Sequence, residues 1–228
     1  MDKTVKEYLE LRTVVYRLLA FPWYKEPTNE WFVKLRKYIP VFEKLFEERG
    51  EDMLKKGVEL LREMSGQIDE AKYANIFAYI FLVGNAASGI RAVTPHESVY
   101  LSGSGLVKQD EWESVFEHFV SEGIGVEKDF REPEDHISAE MHFLALLSEQ
   151  AVACMDEDND RFLQKLRSQT SFLRENISLW VKPLREHMER LTDDPLYLAA
   201  ANLTAGFIIA DTAFIADLTE NPEREEPV

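Results

Sequence analysis

The sequence predicts an all-α protein, a helical bundle whose two parts are joined by a long central loop acting as a hinge. Apolar residues recur at helical spacing in every strongly patterned stretch and nowhere alternate as a half-buried strand would. The breaks between those stretches carry helix punctuation, as at Thr28, Pro40, Gly50 and Pro195. A chain of 228 residues, 45 % hydrophobic and 11 % aromatic, can bury a substantial core. Periodicity lapses between residues 84 and 108, dividing a single domain (1–218) into helical parts of about 1–108 and 109–218. The acidic end, 219–228, is expected to fray.

Residues 2–20 set Val5, Tyr8, Leu9, Val15, Tyr16 and Leu19 at helical spacing behind an Asp2 N-cap, and the run Phe21 to Tyr24 ends that helix. Thr28 caps a short helix through Trp31, Phe32 and Leu35. Another follows Pro40 with Phe42, Leu45 and Phe46, and stops at Gly50. Two more, 51–64 and 68–83, flank Ser65-Gly66-Gln67. The second is almost continuously apolar from Tyr73 to Val83, which predicts a central place in the first half. Asp110 with Glu113 forms a capping-box-like start for a helix carrying Trp112, Val115, Phe116 and Phe119, with Gly123 as its stop.

The charged run Arg131 to Asp135 then enters the most strongly patterned helix. Pro133 takes a first helical position, and Glu132, Glu134 and Asp135 place negative charge on the exposed N–H groups. One stripe holds Ile137, Met141, Leu144, Ser148, Val152 and Met155; beside it lie His136, Glu140, Phe143 and Leu147. Asp158 or Asp160 caps a helix through Phe162, Leu166 and Phe172. Ile177, Trp180, Val181, Leu184 and Met188 make the next, which Pro183 kinks or splits. The last helix starts at Asp194-Pro195, where Ala199, Gly206, Ala210 and Ala213 form a stripe that lets a neighbour approach closely. Asp211, between Phe207 and Phe214, either pairs with a core arginine or turns toward a groove. Pairing is favoured, because unpaired buried charge is costly.

With 42 acidic and 26 basic residues the formal charge is −16, which repels nucleic-acid phosphate and anionic lipid and attracts basic partners. No nucleic-acid partner is expected. Cys154, the single cysteine, cannot form an internal disulfide, and no secretory pattern follows Met1, so a reducing cytoplasm is the expected location. The most apolar stretch, 196–218, is interrupted by Asn202, Thr204 and Asp211 and reads as a buried helix, not a membrane insertion.

Glu-x-x-His and His-Glu-x-x-His are absent, and His136 and His142 lie about 120° apart around their helix. Neither a metal nor another cofactor is expected. Gly103-Ser104-Gly105 lacks the remaining glycine of a dinucleotide loop, and no Gly-Lys-Ser/Thr occurs. His136 and Glu140, at i and i+4, are within pairing distance. Such a pair either ties a loop to its helix or presents a proton-sensitive site.

Glu132, Asp135-His136-Ile137, Glu140-Met141 and Phe143 resemble the E-x-x-D-H-x-x-x-E-[LM]-x-F signature of the TorD/DmsD family of redox-enzyme maturation chaperones. Tyr16 to Ala20 is similar to that family's N-terminal helix, Pro95 to Leu101 to its central loop, and Phe172 to Trp180 with Pro195 to Asp211 to its C-terminal helices. The chain departs from the pattern at Pro133, one place earlier than in x-P-D-H, and at Asn176, where many members carry a second His.

The resemblance implies a cytoplasmic chaperone and no enzyme. It implies binding of the twin-arginine leader, the apo catalytic subunit of a molybdenum-cofactor oxidoreductase, or both, with help in cofactor insertion. It also makes a monomer or a domain-swapped dimer compatible. Two guanidinium groups and an apolar segment require carboxylates beside an apolar groove. The candidate contacts are Glu132, Glu134, Asp135, His136 and Glu140 beside Phe143 and Leu147, with Ser98 and Tyr100 on the opposing loop. The alternatives are a weak guanine-nucleotide or acid/base activity on the His136/Glu140 face, and a structural subunit of a larger acidic assembly.

Overall fold

The computed structural model describes residues 3–220. The Asp2 cap and positions 221–228 of the expected frayed tail lie outside the described residues. α1 (Lys3–Ala20) passes into a tight turn at Phe21–Trp23. α2 (Asn29–Lys37) opens on Thr28, whose hydroxyl accepts from the Trp31 N–H at 3.2 Å, and α3 (Ile39–Arg49) closes on Gly50 at φ 69°. α4 (Asp52–Glu63) and α5 (Glu70–Ala78) follow, the latter continued by a π turn at Tyr79–Val83. The central loop contains only a short α6 (Glu97–Leu101).

Beyond it come α7 (Asp110–Ser121) and α8 (Ile137–Cys154). α9 (Asn159–Phe172) runs through a π turn at Leu173–Ile177 into α10 (Ser178–Leu191), and α11 (Pro195–Glu220) completes the bundle. Among the described residues there is no β-strand, only isolated bridges joining Asn85 to Ile90 and His96 to His136.

α1 packs along α8 and α4 along α11, so helices from both sides of residue 108 share one core. Small residues set the second of these contacts. A Cβ on Gly206 would fall 2.9 Å from the Leu54 backbone nitrogen, and one on Gly57 2.6 Å from Leu203 Cγ. Glycine at both positions therefore lets the helices approach almost backbone to backbone. By length and composition α11 is apolar enough to cross a membrane, yet most of it is buried in this core.

Asp211 resolves to the paired alternative. Arg12 Nε donates to its Oδ1 at 2.6 Å and Nη2 to Oδ2 at 2.7 Å, while the hydroxyls of Tyr16 and Tyr8 donate at 2.6 and 3.2 Å. Arg12 Nη1 also reaches Ser148 Oγ at 3.1 Å and Gln169 Oε1 at 2.5 Å. One buried guanidinium thus ties α1 to α8, α9 and α11. Burial opposes its charge, but Asp211, with Tyr16 and Tyr8, more than offsets that and raises the Arg12 pKa.

Several local expectations are corrected. α8 starts at Ile137, not Pro133, because Pro133 to His136 closes as a turn and Asp135 and Ile137 make backbone bonds with the central loop; the cap is His136, whose Nδ1 accepts from the Ser138 N–H at 3.1 Å. α7 has Asp110 inside its first turn and Gln109 at the N-cap, without a side-chain capping bond. The 68–83 segment is peripheral: Leu82 and Val83 on its π turn are exposed, and the central places go to α8 and α11. Of the two cap candidates for α9 the structure selects Asp158, and Pro183 sits inside α10 without splitting it.

Candidate functional site

Two N-cap segments meet back to back. His96, ahead of α6, and His136, ahead of α8, are both extended and form an antiparallel bridge. The Glu97 N–H donates to the Asp135 carbonyl and the Ile137 N–H to the Pro95 carbonyl, each at 2.9 Å. Asp135 closes this clamp, its Oδ2 accepting from the Ser98 N–H at 3.1 Å and from Ser98 Oγ at 2.5 Å. The two imidazoles meet edge to face at 4.9 Å, and His96 Nε2 lies 3.3 Å from Glu132 Oε2.

Behind the clamp lies an unusual group of buried polar atoms. Glu97 Oε1 accepts from the Asn176 amide at 3.2 Å. Glu97 Oε2, Asp135 Oδ1, both Glu140 oxygens, Asn176 Oδ1 and the Trp180 indole N–H make no close hydrogen bond within the protein, although the Trp180 N–H is near enough to Glu97 and Glu140 to favour their charged forms. Native structures rarely leave so many polar atoms unpaired in one place. Burial raises the Glu97 pKa to about 8, opposed by the Asn176 amide and reinforced by Asp135 and Glu111. Burial, then Glu97 and Asp135, drives Glu140 well above the carboxylate range. His136 is held well below its ordinary value by burial and by His96. Burial also lowers His96, against the pull of Asp135 and Glu132. Near neutrality the clamp therefore sets neutral imidazoles over a protonated Glu97, with Glu140 shifted in the same direction.

A cleft of about 460 Å³ opens beside the clamp, between the end of α1, the 124–130 linker and the first turns of α8. Phe21, Tyr24, Phe119, Phe130, Phe143 and Leu146 line it, with Arg17, Lys25, Glu127, Asp129 and His142 supplying polar groups. Tyr24 and Phe130 pack together at 4.7 Å and each meets the His136 ring edge-on, at 6.2 and 5.7 Å. His136 thus links the clamp to two aromatic residues of the cleft wall.

The expected site residues divide accordingly. Ser98, Asp135, His136 and Glu140 come together but are buried, and His136 forms no hydrogen bond with Glu140, because its Nδ1 is spent on the α8 cap. Glu132 is exposed at the clamp edge. Glu134 Oε2 accepts from the Trp112 indole N–H at 2.7 Å. Tyr100 stacks on Trp180 and its hydroxyl lies 3.0 Å from His187 Nδ1; His187 Nε2 is 3.0 Å from the Arg91 carbonyl, so Nε2 carries the proton and Tyr100 donates. Phe143 packs against Phe119 and Phe172 and contributes to the cleft wall, and Leu147 is in the core. Sequence reasoning missed Glu97, which opens the five-residue α6, and Tyr24 and Phe130, which lie in connecting segments; none carries a periodic signal. Among the described residues no group of three or more His, Cys, Asp or Glu is arranged to hold a metal.

Residues 48–186 match the family model described as nitrate reductase delta subunit. The chaperone protein TorD of Photobacterium profundum is 29 % identical over 53 % of this chain, and the match spans only 55 % of that protein. TorD of Vibrio cholerae is 28 % identical over 71 % of this chain and 70 % of its own, and TorD of Shewanella loihica 28 % identical over 89 % and 92 %. A solved redox enzyme maturation protein from Archaeoglobus fulgidus aligns over 90 % of this chain and 93 % of its own, with 17 % identity and a TM-score of 0.46. The family model covers more than half of the sequence and includes both segments of the clamp, and on that ground the chain belongs to the TorD/DmsD, or nitrate reductase delta-subunit, family of redox-enzyme maturation proteins.

Proposed function

We propose that the protein is a cytoplasmic chaperone that holds the twin-arginine leader of an apo molybdenum-cofactor oxidoreductase until its cofactor is loaded. The single observation that carries this is the aromatic cleft set against the carboxylate clamp, with His136 packed between them against Tyr24 and Phe130. An apolar leader segment fits among Tyr24, Phe119 and Phe130, and the exposed carboxylates of Glu127, Asp129 and Glu132 are suited to guanidinium groups. Asp135, His136 and Glu140 then act from beneath as positioning residues, holding the linker that carries the contacts. The 84–108 segment connects the two helical parts, which share one core. No catalytic step is assigned to the His136 face, where the imidazole is buried and committed to a cap.

The test is calorimetric titration with twin-arginine leader peptides and Lys-Lys controls. Binding in the micromolar range is expected, weakened about tenfold or more by the Lys-Lys change, a loss of roughly 1.4 kcal/mol, and abolished by Tyr24→Ala with Phe130→Ala. Equal affinity for leader and control, or unchanged binding by the double variant, overturns the reading.

A further inference from the structure

On α7, Val115 and Phe119 face the core, and the shoulder beside them carries Trp112, Phe116 and Val120 at i, i+4 and i+8. Phe116 is 40 % and Val120 58 % exposed, and Trp112 stacks on Phe116 at 5.3 Å. Leu106 and Val107, just ahead of the helix, are exposed as well. A stripe of this kind on a protein surface marks an interaction site more often than scattered apolar residues do.

The next sector of the same helix bears exposed Asp110, Glu113 and Glu117, and α7 contains no lysine or arginine. The nearby cation, Lys108, has its ammonium 5.4 Å from the centre of the Trp112 ring. We infer that the Trp112–Phe116–Val120 stripe is a second docking surface, fitted to a basic amphipathic helix of a partner protein. Charge decides the occupant. A second copy of a chain with formal charge −16 would bring the same acids face to face, whereas a helix with an apolar seam flanked by Lys or Arg pairs with Glu113 and Glu117 while covering Phe116 and Val120. Trp112 also hydrogen-bonds Glu134, next to the Asp135 of the clamp, so an occupant here touches the element that holds the leader face.

The experiment uses the full chain and a labelled helical peptide with a leucine seam and lysine flanks, against a peptide in which glutamate replaces lysine, both followed by fluorescence anisotropy. The lysine peptide is expected to bind and the glutamate peptide not. Phe116→Ser with Val120→Ser, and separately Glu113→Lys with Glu117→Lys, should each weaken binding tenfold or more. Glu47→Lys with Glu59→Lys, an equal charge change at exposed sites elsewhere, should leave most of it intact. Equal loss in that control, no loss in the stripe variants, or self-association abolished by the stripe variants overturns the inference. Leader titration of the stripe variants separates the two sites: unchanged leader affinity supports a distinct surface, and parallel loss merges it with the cleft.

Discussion

The molecule buries charged chemistry in two places and treats it in opposite ways. Around Arg12, one guanidinium and one carboxylate receive a nearly complete set of partners from Tyr8, Tyr16, Ser148 and Gln169. Behind the clamp, Glu97, Asp135 and Glu140 share a few donors and leave oxygens unpaired. A satisfied buried pair fixes how helices meet, whereas an unsatisfied group lowers stability and is kept for what it does. The first belongs to the architecture, and we propose that the second serves the leader-binding face. The departure at Asn176 fits the contrast, because a neutral amide stands inside the acid group where the family resemblance places a histidine.

The comparison breaks most visibly at Arg12. Arg12→Met strands Asp211 in the core and is expected to cost roughly 3–5 kcal/mol in urea unfolding. Arg12→Met with Asp211→Asn should recover a large part of that. A loss below about 1 kcal/mol for the single variant would make the staple no stronger than a surface pair.

The clamp should respond in the opposite direction. The unfolded Glu97 carboxyl releases its proton near 4.5, but the folded one keeps it until about 8. The native state therefore binds more protons in that window, and stability is lost as pH rises through it. His96 and His136 have folded values below 6.5, so they remove stability as pH falls below 6.5, when only the unfolded chain takes up their protons. Glu97→Gln with Glu140→Gln is expected to leave stability near pH 5 little changed and to raise it by roughly 1–3 kcal/mol near pH 8.5. Thermal unfolding across that range reads the result, and a parallel offset at all pH values would contradict the clamp's titration.

Much of this was legible in the sequence where one helix face or one small residue decides the packing. The all-α class, the Thr28 and Asp158 caps, Gly206 in a close contact and the pairing of Asp211 follow from spacing and from the cost of bare charge. The partner of Asp211 did not, because Arg12 is 199 residues away and nothing local announces it. The start of α8 was misplaced since Pro133 and its acids satisfy every local helix-start rule, yet that run closes as a turn from Pro133 to His136, and tertiary bonds to Pro95 and Glu97 delay the helix to Ile137. Glu97, Asp135 and Glu140 were half visible. The signature supplied two of them, and only folding brings Glu97 across from the other loop.

Hydrogen exchange followed by mass spectrometry tests the division between staple and clamp most directly. In the free protein, amides in 94–101 and 131–140 are expected to exchange by local opening well before those in 8–16 and 207–214, and to slow when a twin-arginine leader is added. Exchange of both regions only through global unfolding, with no response of the clamp to leader, would contradict the account.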